Sequence, residues 1–389
     1  MQRLRIDLIA AARPNFMKVA PLFHALHDEP WCDLRLVHTG QHYDKNMSDA
    51  FFSDLGLPRP DLHLGVGSGS HAEQTANVML AYERACLEAQ PDLIVVVGDV
   101  NSTVACALVG SKLHITVAHL EAGLRSGDRR MPEEINRLVT DTLADILWAP
   151  SPDGDEHLAA EGVPPEKITR VGNIMLDSYE LMRERVDASV ERRKLGLEGR
   201  EYAAVTLHRP SNVDAKEPLA ELVRQLTRIA AKLPLVFPVH PRTRKNLEAF
   251  GLWAELTQAS GVQIVDPLGY IDFMNLVCGA RLVITDSGGV QEETTYLDIP
   301  CLTLRTTTER PITITEGSNR LVTAAELAAA VDEVLDGRWP HGRKPELWDG
   351  HTAARVVADI RRRLLDAPAT EAQEAEVAES HARRAGVGT

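Results

Sequence analysis

The chain has few cysteines, no surplus of positive charge and no long apolar run. Its five cysteines (Cys32, Cys86, Cys106, Cys278, Cys301) are scattered, odd in number and form no CxxC pair. They read as reduced, mostly buried thiols of a cytosolic protein. The formal net charge is -14, which argues against nucleic acid or an anionic membrane as the main partner but leaves room for a local basic pocket. No apolar stretch is long enough to span a bilayer. Residues Met1 to Ile6 run straight into a strand-like segment with no signal peptide before it, so a cytoplasmic location is expected. Two nucleotide motifs are also missing. No GxGxxG follows the first strand, so no nicotinamide cofactor is implied. The run Gly65 to Ser70 lacks the Lys-[Ser/Thr] ending of a P-loop and reads as a mobile loop before a helix at His71. His38 and His42 are four apart, but Gly40 between them argues against a helical metal pair. Neither a metal nor a cofactor is expected.

What remains is an ordinary soluble composition, 25% charged and 44% hydrophobic, over 389 residues, a length that suggests two domains. Strand-like and helix-like runs alternate throughout. Leu4 to Ala10, Leu34 to His38, Asp92 to Gly98, Ile115 to His119 and Ile146 to Ala149 read as strands. Helices are read over Phe16 to His27, His71 to Ala89, Val104 to Lys112 and Pro132 to Leu143. The pattern restarts at Ala203 to Leu207, with further strands at Leu235 to Val239, Val262 to Val265, Leu282 to Thr285 and Pro300 to Leu304. Strands this continuously apolar imply parallel sheets covered on both faces. The fold class is therefore α/β, with two Rossmann-like doubly wound halves, and ligands in such sheets bind beyond the carboxyl ends of the strands. The expected division is 1–172, 173–350, a C-terminal helix over 351–366 and a disordered tail over 367–389.

The most informative stretch is Asp286 to Glu293. A strand ends, Gly288 and Gly289 turn the chain, and a helix read from Val290 to Leu297 begins. Its first-turn N–H groups and the positive end of its dipole suit an anion. Two carboxylates one turn later would repel a phosphate, so one of them is expected to reach a neutral hydroxyl, as on a sugar. Other strand ends carry Arg13 and Lys18, Asp99, Glu121, a loop with Glu133, and His208. Arg13 and Lys18 could reach a phosphate or be solvated surface cations. Three acids converging on one cleft suit proton transfer to and from carbon or oxygen.

These residues bring the chain close to a known family. Ala12-Arg13-Pro14 with Lys18, Thr39 to His42, Gly98-Asp99, His119 to Arg125, Pro132 to Arg137, His208-Arg209, Pro238 to Pro241, Asp286 to Glu293 and Thr307 to Pro311 resemble the non-hydrolysing UDP-N-acetylglucosamine 2-epimerases, in family order. The resemblance implies a GT-B-like fold with the active site in the interdomain cleft. It also implies inversion at C2 of UDP-GlcNAc to give UDP-ManNAc, through anti elimination of UDP to 2-acetamidoglucal and re-addition. Asp99, Glu121 and Glu133 would then be the acid/base groups, and His208 would contact the diphosphate or assist the leaving group. Ser287, Gly288 and Gly289 would hold the diphosphate and Glu293 the ribose hydroxyls. Arg13 and Arg310 would meet the phosphates or nucleotide, with Lys18 at the same site. Phe273 would lie against the uracil and the backbone near Leu268 would read its edge. The family is usually dimeric, so a homodimer is expected.

Departures from the pattern fall at Ala11 to Asn15, where many members have Gly-Thr-Arg-Pro-Glu, and at Leu207 to Pro210, where many have Gly-His-Arg-Arg-Glu. Asp44 stands where substrate-activated members carry a second glutamine, so that mode of activation is not expected. The groups at C3 and C6 of the sugar stay open, since relatives act on UDP-2,3-diacetamido sugars and their uronic acids. A hydrolysing epimerase releasing ManNAc and UDP shares the elimination step. A GT-B glycosyltransferase would need an acceptor site, and no membrane-facing basic or aromatic helix offers one. A nucleotide-sugar sensor would not need three cleft carboxylates.

Overall fold

A computed structural model describes residues 3–11, 13–40 and 55–366. The segment with Gln41, His42 and Asp44, and the expected tail over 367–389, lie outside the described residues, as does the side chain of Arg13.

The first half builds a parallel sheet from β1 (Leu4–Ala10), β2 (Cys32–His38), β3 (Leu62–His63), β4 (Leu93–Val97), β5 (Thr116–Leu120), β6 (Ile146–Ala149) and β7 (Ile168–Arg170). Their order is β3-β2-β1-β4-β5-β6-β7. The second builds another from β8 (Ala203–Thr206), β9 (Leu235–Pro238), β10 (Val262–Val265), β11 (Leu282–Thr285), β12 (Cys301–Thr303) and β13 (Asn319–Leu321), in the order β10-β9-β8-β11-β12-β13. Every described strand pair is parallel. Strand composition explains this arrangement. β4 reads Leu-Ile-Val-Val-Val with all five residues buried, so both of its faces need a helical cover.

Strand order reverses between β1 and β4 in the first sheet and between β8 and β11 in the second. At such a switch point the two following connections leave for opposite faces and open a crevice. The loops after β4 and β11 begin Gly98-Asp99 and Asp286-Ser287, and the loop after β8 carries His208. The two sheets therefore present their crevices, with these residues, as a GT-B-like pair.

One apolar core joins the halves. It runs from Ile6 and Phe16 through Met175, Leu176 and Tyr179 of the helix Ile174–Ala188 to Val283 and Val290 of the second sheet. The last described helix, Thr352–Leu364, returns to the first half and packs on the helix Arg13–His27. Its Val356, Val357 and Ile360 enter the same core.

The structure adjusts several sequence expectations. The glycine helix spans Gly288–Tyr296, so both glycines are its first residues and Ser287 is the N-cap. Apolar periodicity could not reveal this, because glycine carries no hydropathy signal. The helices Pro241–Ala249 and Trp253–Gln258 fill a connection that polar composition had concealed. The Gly65 to Ser70 run ends in a capping box, in which Ser70 Oγ accepts from the Glu73 amide at 3.2 Å and Glu73 accepts from the Ser70 amide at 2.9 Å. Among the described residues no helix is long and apolar enough to cross a membrane.

Candidate active site

On the first sheet the acids are held by the helix Pro132–Leu143. Pro132 starts it at N1, and Glu133, Asn136 and Arg137 follow within about one turn and a half. Arg137 grips Asp99 Oδ2 with Nη2 at 2.6 Å and Nε at 3.0 Å. Asn136 Nδ2 donates to the Asp99 carbonyl at 2.9 Å. Arg137 is itself fixed by Glu134 at 2.6 Å, and Glu134 accepts from the amides of Ser126 and Gly127, both at 2.9 Å. Burial pushes the Asp99 carboxyl up, but Arg137 and then Lys18 and Arg310 outweigh it, so Asp99 sits below the ordinary carboxylate value.

Glu121 lies just past β5 with φ +74°, a left-handed conformation that costs a side-chain-bearing residue on the order of 1–2 kcal/mol. The Trp148 carbonyl stabilises it by accepting from the amides of Glu121 and Ala122, at 3.2 and 3.1 Å. Lys18 Nζ pairs with Glu121 Oε2, while Oε1 is buried with no hydrogen-bond partner among the described residues. Lys18 is thus placed against a carboxylate on the acid/base side, whereas the sequence left it between a phosphate ligand and a solvated surface cation. Gly98 is required here, since its φ is +71° and a Cβ would meet Glu121 Oε2 at 3.2 Å and Lys18 Nζ at 3.3 Å. Glu133 is half-buried and faces Arg209 of the second half, whose charge it influences.

On the second sheet the wholly buried Asp286 organises the site. It accepts from the amides of His208 (3.0 Å) and Arg209 (2.9 Å) and from Asn212 Nδ2 (3.0 Å), and it lies 3.0 Å from His208 Nδ1. Burial raises its pKa, but His208 and these donors bring it below the usual range. His208 Nε2 is left on the far side of the ring from Asp286. The ring stands 5.6 Å from that of His240.

Around the N-terminus of the glycine helix stand Arg209, Arg305 and Arg310. A Cβ on Gly288 would lie 2.7 Å from Glu309 Oε1, 3.2 Å from Arg310 Nη1 and 3.8 Å from Arg305 Nη1, so glycine is what lets these groups crowd the turn. Arg310 is fixed between Glu292 and Glu309, each at 2.6 Å. Burial pulls its pKa down, and those carboxylates push it up further. Glu309 also holds Arg305 at 2.7 Å. Arg209 has the opposite balance, because burial and then Arg305 lower its pKa.

The two acids of the helix have separate surroundings. Glu292 binds Arg310 and accepts from Asn173 Nδ2 at 2.8 Å. Glu293 is 4% exposed, and burial pushes its carboxyl up to about 8 despite the Tyr270 hydroxyl beside it. Its Oε1, like Arg305 Nη1, is buried without a partner among the described residues. Leu268 and Phe273 flank Tyr270, Leu268 in the loop after β10 and Phe273 in the helix Tyr270–Cys278, both half-buried.

The site therefore has two chemical halves that act on each other. Asp99 and Glu121 exchange charge effects with Arg310, and Glu133 with Arg209. Carboxylates capable of proton transfer stand opposite a helix N-terminus with three guanidinium groups, which suits a departing anion. Arg137, Asp286, Arg209 and Arg305 had no assigned part in the sequence reading. The first three were within the motifs, at positions +4 from Glu133, at a strand end and beside His208. Among the described residues no cluster of His, Cys, Asp or Glu is placed to hold a metal ion.

Comparison with known proteins places the chain in a family. The profile of the UDP-N-acetylglucosamine 2-epimerase family matches residues 24–361. The UDP-N-acetylglucosamine 2-epimerase of Methanocaldococcus jannaschii is 40% identical over 371 residues, covering 91% of this chain and 98% of that one. The UDP-2,3-diacetamido-2,3-dideoxy-D-glucuronate 2-epimerase of Pseudomonas aeruginosa is 40% identical over 326 residues, covering 83% and 89%. A crystal structure of the M. jannaschii enzyme in complex with UDP-GlcNAc and UDP superposes with a TM-score of 0.83 at 39% identity, over 92% of this chain and all of that one.

Proposed function

Given that this chain belongs to the UDP-N-acetylglucosamine 2-epimerase family, we propose that it interconverts UDP-N-acetylglucosamine and UDP-N-acetylmannosamine. A carboxylate removes the C2 proton while the C1–O bond breaks and its electron pair leaves with UDP, giving 2-acetamidoglucal. A UDP phosphate oxygen then re-forms the bond to C1 as an acid delivers a proton to the other face of C2. Atoms balance, and the net change is inversion at C2.

The observation that carries this reading is the juxtaposition of three carboxylates on one sheet with a guanidinium-lined helix N-terminus on the other. Asp99, kept ionised by Arg137, is suited to act as base. Glu121 and Glu133 supply the remaining proton transfers. Ser287, Gly288 and Gly289 receive the diphosphate with Arg310, and Arg13 completes that side. His208, aligned by Asp286, meets the leaving oxygen. Glu293 takes the ribose hydroxyls, while Leu268 and Phe273 bound the uracil. The division at residue 172 and a homodimeric state belong to the same proposal.

Incubation with UDP-N-acetylglucosamine in D2O is expected to yield UDP-N-acetylmannosamine with deuterium at C2. Free ManNAc appearing from the start would instead indicate a hydrolysing enzyme, and no C2 exchange with any UDP-2-acetamido sugar would refute the proposal. Equal identity to the glucuronate 2-epimerase supports a second reading, a 2,3-diacetamido uronic acid substrate, and a panel of C3 and C6 variants decides between them.

A further inference from the structure

We propose that His119 and Asp141 form a buried positioning pair that clamps the Gly98–Asp99 turn and the Glu121 loop into one geometry, so that His119 controls Asp99 through the backbone. The inference rests on the epimerase reading for its kinetic readout only.

His119 is on β5, two residues before Glu121, and its side chain is wholly buried. Nε2 lies 2.8 Å from the Gly98 carbonyl and Nδ1 lies 2.6 Å from Asp141 Oδ1. Both partners are acceptors, so each ring nitrogen donates. Asp141 comes from the helix that carries Glu133 and Arg137. Its second oxygen accepts from the Gly123 amide at 3.0 Å and pairs with Arg125 at 2.7 Å. The Gly98 amide in turn donates to the Leu120 carbonyl at 3.0 Å. The Gly98 residue is therefore held from β5 on both sides, its N–H by the strand and its carbonyl by the ring.

This matters because Gly98 is in the left-handed region and Asp99 follows directly. Asn15 and Thr103 hold the Val97 carbonyl before the turn and Asn136 the Asp99 carbonyl after it, while the carbonyl of Gly98 itself is held by the ring. A turn that drifts takes Asp99 off Arg137. Through Asp141, the same ring ties the loop after Glu121 to the helix that supplies Arg137. His119 touches none of the reacting groups, so it is a positioning residue. A rigid ring with donors at two opposed positions bridges a carboxylate and a carbonyl, and an amide side chain satisfies only one of them.

That difference provides the test. Glutamine places its amide near the position of Nε2, and asparagine places its amide near Nδ1. His119→Gln should keep the Gly98 bond and stay within about tenfold of wild-type kcat. His119→Asn should lose that bond and about 10²-fold in kcat, the usual consequence of a displacement of about 1 Å at a reacting group. UDP affinity, set on the second sheet, should change by less than about twofold in either. In His119→Asn the limb of the pH–rate profile governed by Asp99 should move to higher pH, because Asp99 loses Arg137. Carbon-13 NMR titration of the Asp99 carboxyl in the substrate-free protein should report the same movement, so the pairing stays testable even if the wild type epimerises no UDP-sugar. Equal kcat in the two variants, or an unmoved Asp99 titration in His119→Asn, overturns the proposal. If neither variant binds UDP like the wild type, Asp141→Asn decides: its single amide oxygen cannot serve three donors, and an unmoved Asp99 titration there overturns the proposal equally.

Discussion

Replacing Glu293 with glutamine should make the protein more stable at alkaline pH and leave it nearly unchanged in mild acid. In the native state burial pushes the Glu293 carboxyl from 4.5 up to about 8. Between these values the folded protein holds a proton that the unfolded chain releases, so stability falls as pH rises. The slope for one full proton is ~1.4 kcal/mol per pH unit. Over the whole interval the cost grows to roughly 5 kcal/mol, an upper bound because water can enter an open cleft. Glutamine has the same shape and no titration. Urea unfolding of wild type and Glu293→Gln should therefore give nearly equal midpoints near pH 5 and diverge steadily to about pH 8, with the variant more stable. Binding adds a second signature. Hydroxyls that donate to Glu293 favour its charged form, so UDP should expel a proton near pH 7 that the variant does not expel. Calorimetry in buffers of different ionisation enthalpy measures this, and subtracting the variant cancels the titration of the UDP phosphate. A stability difference that is constant from pH 5 to 8 would show that Glu293 is not held neutral by its surroundings.

Arg137→Met removes both contacts to Asp99 and leaves Glu134 without its cation. We expect kcat to fall by about 10²–10³, with UDP affinity preserved in a direct titration. Asp286→Asn should lower kcat by about 10²–10⁴ by disturbing the orientation of His208, following the logic of a carboxylate that orients a histidine. Partial rescue at high pH would argue for a change in protonation rather than in position. Ser287→Ala should weaken UDP binding by about 1 kcal/mol, seen in Kd, with kcat at saturation little changed.

The sequence revealed the architecture because runs such as β4 can only be the buried strands of a parallel sheet. The strand-end rule then pointed to most of the residues that line the candidate cleft. Terse elements were concealed. β3 has two residues and β7 and β13 three each, too few for any periodicity to register. Pairing also escaped sequence reading. Lys18 follows a strand end as a phosphate ligand would, and only the turn of the helix Arg13–His27 shows that its ammonium meets Glu121. Arg137 was visible in its motif, but that it restrains Asp99 across 38 residues depends on how two connections meet above the sheet. The raised Glu293 has no sequence signature, because desolvation comes from residues distant in the chain.

The last described helix has a consequence for how the protein is made. Asp359 accepts from the Trp148 indole N–H at 2.9 Å, the amides at Thr352 and Ala353 donate to Asp177, and Arg355 donates to the Val171 carbonyl. Through Trp148, Val171 and the helix Arg13–His27, the first half thus receives its final cover from residues translated after the entire second half. On the ribosome it must wait, with the indole of Trp148 and the surface for Val356 and Ile360 uncovered, until synthesis passes residue 364. Nascent chains arrested at 350 should therefore be cut within the first half by a protease that spares the released protein. The polypeptide is assembled less like two beads on a string than like a clasp, whose opening and closing segments must both exist before either one holds.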